Sequence, residues 1–144
     1  MAIYAPAKSF LLLIRIYYQL SAMLKILTEQ ELSYKNYTIK CGISSLDKGY
    51  LILITDQAEY GIGEVILGTP SMLEGGKPLS SPAMVFGFKH KILSKIITER
   101  AAIKLNHPCL VLLHLKQPGI RTDIQSKTVV DCLNKTLDTI SEST

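Results

Sequence analysis

The sequence predicts an α+β fold, a single domain with an antiparallel β-sheet core and flanking α-helices. Three observations predict it. Strand-type alternation dominates from Tyr37 to Leu67, two amphipathic helical stripes fall in the second half, and 144 residues at 47% apolar and 19% charged suit one hydrophobic core. Strands gathered ahead of helices indicate layered α+β packing rather than a doubly wound parallel sheet.

Residues 1–22 read as an N-terminal extension and 23–144 as the domain, with Met23 as an alternative natural start. The stretch Phe10–Leu27 is strongly apolar but carries Arg15, Gln19 and Lys25. A charge at mid-membrane costs about 2.5 to 3.5 kcal/mol, so this is a poor spanning helix. Arg15 also interrupts a signal-peptide core, and no small-x-small cleavage site follows. The segment is expected to be an amphipathic helix or an extra strand docked on the core.

From Tyr37 to Ser45, Tyr37, Ile39, Cys41 and Ile43 alternate with Thr38, Lys40, Gly42 and Ser44, the pattern of a half-buried strand. Leu46-Asp47-Lys48-Gly49 is a tight turn with Gly49 available for positive φ. Tyr50–Thr55 follows as a strand apolar at nearly every position, Asp56–Tyr60 as a polar connection and Gly61–Leu67 as a third strand, the three together an antiparallel meander. The Gly/Pro/Ser-rich stretch 68–82 reads as a flexible loop.

A short strand at Ala83–Phe86 precedes a helix from about Phe88 to Leu105, with Phe88, Ile92, Leu93, Ile96, Ile97 and Ile103 on one half of its wheel. Asn106-His107-Pro108 stops it. Cys109–Leu115 is a strand apolar on both faces, and Lys116–Arg121 turns through Pro118 and Gly119. Thr122 and Gln125 form a capping box opening a last helix, striped with Val129, Val130, Leu133, Leu137 and Ile140.

Function classes narrow by chemistry. The +4 formal charge is scattered, and Lys89, His90, Lys91 and Lys95 read as a solvated helix face rather than a nucleic-acid site. Cys41, Cys109 and Cys132 lack metal-type spacing, so neither a zinc site nor a disulfide scaffold is expected, and reduced thiols place the chain in the cytoplasm, with the nucleus as a further compartment. The triplets Asn36-Tyr37-Thr38 and Asn134-Lys135-Thr136 read as strand and helix surface rather than glycosylation sites. Gly61-Ile62-Gly63 lacks the dinucleotide spacing and marks a bulge or close strand packing. Cys109 and His114, five apart on one strand, point to opposite faces and cannot act as nucleophile and base. No catalytic, cofactor or metal site is expected, and no membrane partner.

The informative feature is surplus apolar strand surface. Tyr50, Ile52 and Ile54 oppose Leu51 and Leu53, and Leu110 and Leu112 oppose Cys109, Val111 and Leu113, so both sheet faces must be dry. Two helices cover one face. Either the N-terminal segment or a partner's sheet covers the other, the partner being preferred. Candidate partner-binding residues are Tyr50, Ile52 and Ile54, with Asp56, Glu59 and Glu64 on the neighbouring hairpin, carboxylates that otherwise serve as solubilising edge charges.

The stretch Ile92–Val111, reading ILSKIITERAAIKLNHPCLV, resembles the fungal proteasome assembly chaperone 4 family. There too an Ile-Ile-x-Glu-Arg helix runs into an Asn-x-Pro-Cys turn, a buried strand and a C-terminal amphipathic helix. The motif spans about a seventh of the chain, and the order of elements from Tyr37 to Ile140 is also similar. The resemblance implies a proteasome-subunit-like chaperone fold, a heterodimer with a related chaperone 3 subunit, and a role holding proteasome α subunits during 20S α-ring assembly. Chaperones 1 and 2 end in a hydrophobic-Tyr-x tail, whereas this chain ends Ile140-Ser-Glu-Ser-Thr144, which suits chaperone 4. The competing readings are a scaffold subunit of another assembly, such as a trafficking complex, and a small enzyme.

Overall fold

The structure is a computed structural model that describes residues 6–23, 25–72, 78–80 and 82–143. Helix α1 spans Pro6–Met23, and strands β1 (Lys25–Tyr34), β2 (Tyr37–Leu46) and β3 (Gly49–Thr55) follow. Next come β4 (Glu64–Gly68), a small pair β5 (Pro70–Met72) and β6 (Pro78–Ser80), and β7 (Ala83–Phe86). Helix α2 (Lys91–Leu105), strand β8 (Cys109–His114) and helix α3 (Thr122–Ser143) complete the order.

Among the described residues the main sheet has six strands in the order β1-β2-β3-β8-β4-β7. The α+β class stands as the sequence predicts. All pairings are antiparallel but one: β3 and β8 run parallel, with Ile52 opposite Val111. The expected meander is therefore corrected, because β8 lies between β3 and β4 and pairs with both. The physical reason is burial. A strand as apolar as Cys109–Leu115 is best placed at the sheet centre, flanked on both edges.

Three further features differ from expectation. Strand β1 forms a hairpin with β2 through Lys35 and Asn36, both at positive φ (49° and 64°), the requirement of a type I′ turn. In the stretch expected as a loop, β5 and β6 form a short antiparallel ladder with Ser71 opposite Leu79, while residues 73–77 and 81 lie outside the described residues. In the turn between β2 and β3 the left-handed residue is Lys48 (φ 59°) rather than Gly49.

Helices α2 and α3 lie on one face of the sheet, α3 over β1 and β2 and α2 over β4 and β8. Into this layer point Ile39, Cys41 and Ile43 from β2, Ile52 and Ile54 from β3, Ile66 from β4, and Val111 and Leu113 from β8, all at most 1% exposed. The helices answer with Leu93, Ile97 and Ala101, and with Val129, Leu133, Leu137 and Ile140. Helix α2 ends at Asn106, whose left-handed backbone (φ 52°) lets its N–H donate to the Ala102 carbonyl. It starts at Lys91, later than expected, and Phe88, Ile92, Ile96 and Ile103 are exposed rather than buried.

Candidate functional site

The candidate site is the face of the sheet opposite the helices. Leu51, Leu110 and Leu67 form one row across β3, β8 and β4, ending at Ala83 on β7. Leu53, Leu112 and Val65 form the next, ending at Phe86. Leu51, Leu53, Leu110, Leu112 and Val65 are half-buried, and Leu67 and Phe86 are exposed. Helices α2 and α3 pack on the opposite face.

Toward β2 the same rows turn small or polar, while at β1 the Leu51 row ends on the exposed Ile26. Leu51 continues to Ser44, and Leu53 to Gly42 and Glu29. The connection from Asp56 to Gly63 folds over this half. Tyr60 lies against Gly42 and donates its hydroxyl to Glu29 Oε2 (2.8 Å), and the Lys40 ammonium sits 4.6 Å from the Tyr60 ring centroid while donating to the Ala58 carbonyl. Burial, then the Glu29 carboxylate, pushes the Tyr60 phenol pKa up, keeping it a neutral donor. At the end of β4 the chain passes so close to β8 that Gly63, at φ 55°, faces the Leu113 carbonyl where a Cβ would clash. That is the close packing expected of Gly61-Ile62-Gly63. The β3-β8-β4-β7 half stays open.

The residues picked from sequence divide. Ile52 and Ile54 face the helices and are fully buried, so a partner cannot reach them. Tyr50 shares their side, its ring edge-on to His107 with centroids 5.7 Å apart. The correction was available in the sequence: a two-residue turn at Asp47-Lys48 pairs Leu46 with Gly49 and hence Ile43 with Ile52, which puts Ile52 on the apolar side of β2.

The three carboxylates serve different ends. Asp56 accepts hydrogen bonds from the N–H groups of Lys116 (2.9 Å) and Gln117 (3.1 Å) and from the Tyr37 hydroxyl (2.9 Å), fixing the turn after β8. Burial opposes its charge, but these bonds with that from Gln57 outweigh it and hold its carboxyl below the usual range. Glu64 is 5% exposed on the helix side, where it accepts from Ser94 Oγ (2.7 Å) and the His90 N–H. It thereby satisfies the first turn of α2, whose own cap residue His90 makes no side-chain cap bond. Only Glu59 is an exposed surface charge.

Cys109 and His114 lie on opposite faces, Cys109 buried under the helices and His114 with Nδ1 2.9 Å from Thr55 Oγ1. Burial pushes the Cys41 and Cys109 thiols up to about 12 and Cys132 to about 11, leaving them protonated at neutral pH and poor nucleophiles. Among the described residues no group of three His, Cys, Asp or Glu side chains is placed to hold a metal ion. No helix among them is long and apolar enough to cross a membrane. What the arrangement offers chemically is an aliphatic surface on the sheet.

The described apolar side chains Phe10–Leu13 of helix α1 do not cover that surface. Phe10, Leu11, Leu12 and Leu13 are 59–65% exposed.

No family model matches the sequence. No curated protein matches it either. The fold is similar to that of a chain in the crystal structure of a chaperone complex for yeast 20S proteasome assembly, with a TM-score of 0.56, covering 83% of this chain and 97% of that one. The two are 13% identical, so the likeness is one of fold.

Proposed function

We propose that this chain is a proteasome assembly chaperone: it pairs with a related chaperone 3 subunit through the open sheet face and, as a heterodimer in the cytoplasm or nucleus, promotes 20S α-ring assembly. The observation that carries this reading is the apolar half of the open face, the two rows headed by Leu51 and Leu53. Full burial of an exposed leucine is worth about 1.5 to 3 kcal/mol, and completing the burial of four half-buried ones gains about half of that each, so together they favour a covered state. A second antiparallel-rich sheet fits such a surface face to face at about 10 Å. Support for the class of partner comes from the fold likeness to a chain of a proteasome assembly complex and from the Ile92–Val111 stretch that resembles chaperone 4. A surface that works by being covered requires no bond to be made or broken.

The test is affinity purification of the tagged full chain from its own cells, followed by mass spectrometry. Recovery of one related small chaperone in equal amount, with proteasome α subunits, is the expected result. Stoichiometric recovery of a trafficking complex without proteasome components would replace this reading with that of a scaffold subunit.

A further inference from the structure

We propose that the groove between the N-terminal turns of α2 and α3 is a second docking site, on the helical side of the molecule, for an acidic peptide segment of a partner bearing aliphatic side chains. The groove has a volume of about 630 Å³. Its floor is aliphatic. Ile92 and Ile96, one helical turn apart on α2, are 77% and 40% exposed, and the half-buried Ile120 and Val130 face them from the α3 side. These α2 residues belong to the stripe that the sequence assigns to the core, yet the core is closed without them.

The rim is basic where a helix favours the opposite sign. Lys89 and Lys91 are exposed at the start of α2, beside His90, and the first turn of α2 holds no acidic residue. A helix N-terminus carries partial positive charge, so this placement adds like to like. The nearby carboxylates are already engaged: Glu64 is buried against His90 and Ser94, and Asp123 pairs with Arg121 at 3.1 Å. The complement of an aliphatic floor under a cationic rim is an acidic, aliphatic peptide. Single-stranded nucleic acid fits less well, because the lining contains no Phe, Tyr or Trp on which a base could stack. The sheet and the core separate this groove from the open face, so the proposal stands independently of the proteasome reading.

The experiment is fluorescence anisotropy with the full chain and a fluorescein-labelled peptide, Asp-Leu-Glu-Asp-Leu-Leu-Glu-Asp, against a counterpart with lysine at every acidic position. The acidic peptide should bind and the lysine peptide should not. Affinity should fall at least tenfold in the Lys89→Glu, Lys91→Glu double variant and in Ile92→Ser, and should stay unchanged in Leu53→Lys, Leu112→Lys, which alters the open sheet face. Lys89, Lys91 and Ile92 are exposed, so these variants should keep the wild-type circular dichroism melt. The proposal is overturned by no binding of the acidic peptide at millimolar concentration, by undiminished binding to the groove variants, or by loss of binding in the sheet-face variant instead. A labelled oligothymidylate that binds at the groove where the peptide does not would overturn it in favour of nucleic acid.

Discussion

Glu64 and Glu59 sit five residues apart, and burial makes their roles differ. Replacing Glu64 by alanine strands the Ser94 hydroxyl and the His90 N–H at the base of α2, a loss of about 2 to 3 kcal/mol that urea denaturation would read as a lower midpoint. The same change at Glu59 should stay within about 0.5 kcal/mol. Asp56 supplies a pH dependence. Its folded pKa is depressed, so its contribution is present above the unfolded value of about 3.9 and is lost as pH falls through the folded one. Asp56→Asn should therefore melt below wild type at neutral pH, with the gap closing as the solution is acidified below about pH 4. Such roles were not legible in the sequence. A carboxylate in a polar connection has the same appearance whether it caps a turn or meets solvent, and only the through-space neighbours, Lys116 for Asp56 and Ser94 for Glu64, separate the cases.

At the scale of elements, alternation revealed β2 and β3 because one side of each is apolar and the chain between them is a tight turn. Strand β1 escaped notice because its inward side mixes polar Thr28 and Gln30 with apolar Leu32 and so lacks a clear apolar alternation. Thr28 is accommodated by a hydroxyl contact with Thr139 of α3 (2.8 Å), and the Gln30 carbonyl by the Cys132 thiol. The place of β8 was hidden for another reason: neighbouring strands in sequence usually pair, and nothing local announces that a strand arriving later will separate them. Helix α1 gives the sharpest test. Deleting residues 1–22 should leave the melting temperature within a few degrees, since Phe10–Leu13 of α1 are exposed. Extending the deletion through Tyr34 removes an edge strand on which α3 packs, and should give insoluble or unfolded protein. Circular dichroism on the two truncations separates these outcomes.

For the molecule as a whole, the sheet has one face closed by helices and half of the other open. Alternation could show that both faces were apolar, but which one the helices take depends on the β2–β3 register and on where α2 and α3 cross. Hence Ile52 and Ile54 fall in the core while Leu53 and Leu112 face outward. The chain alone should self-associate, and light scattering should show this at micromolar concentration, with coexpression of its partner restoring a 1:1 species. The most direct measurement places a photocrosslinking benzoylphenylalanine at Leu112, and separately at Glu59, in the full chain in its own cells. Position 112 should crosslink to a single related small chaperone, and position 59 should not. Crosslinking from position 112 only within the chain itself, or to no protein, would contradict this pairing.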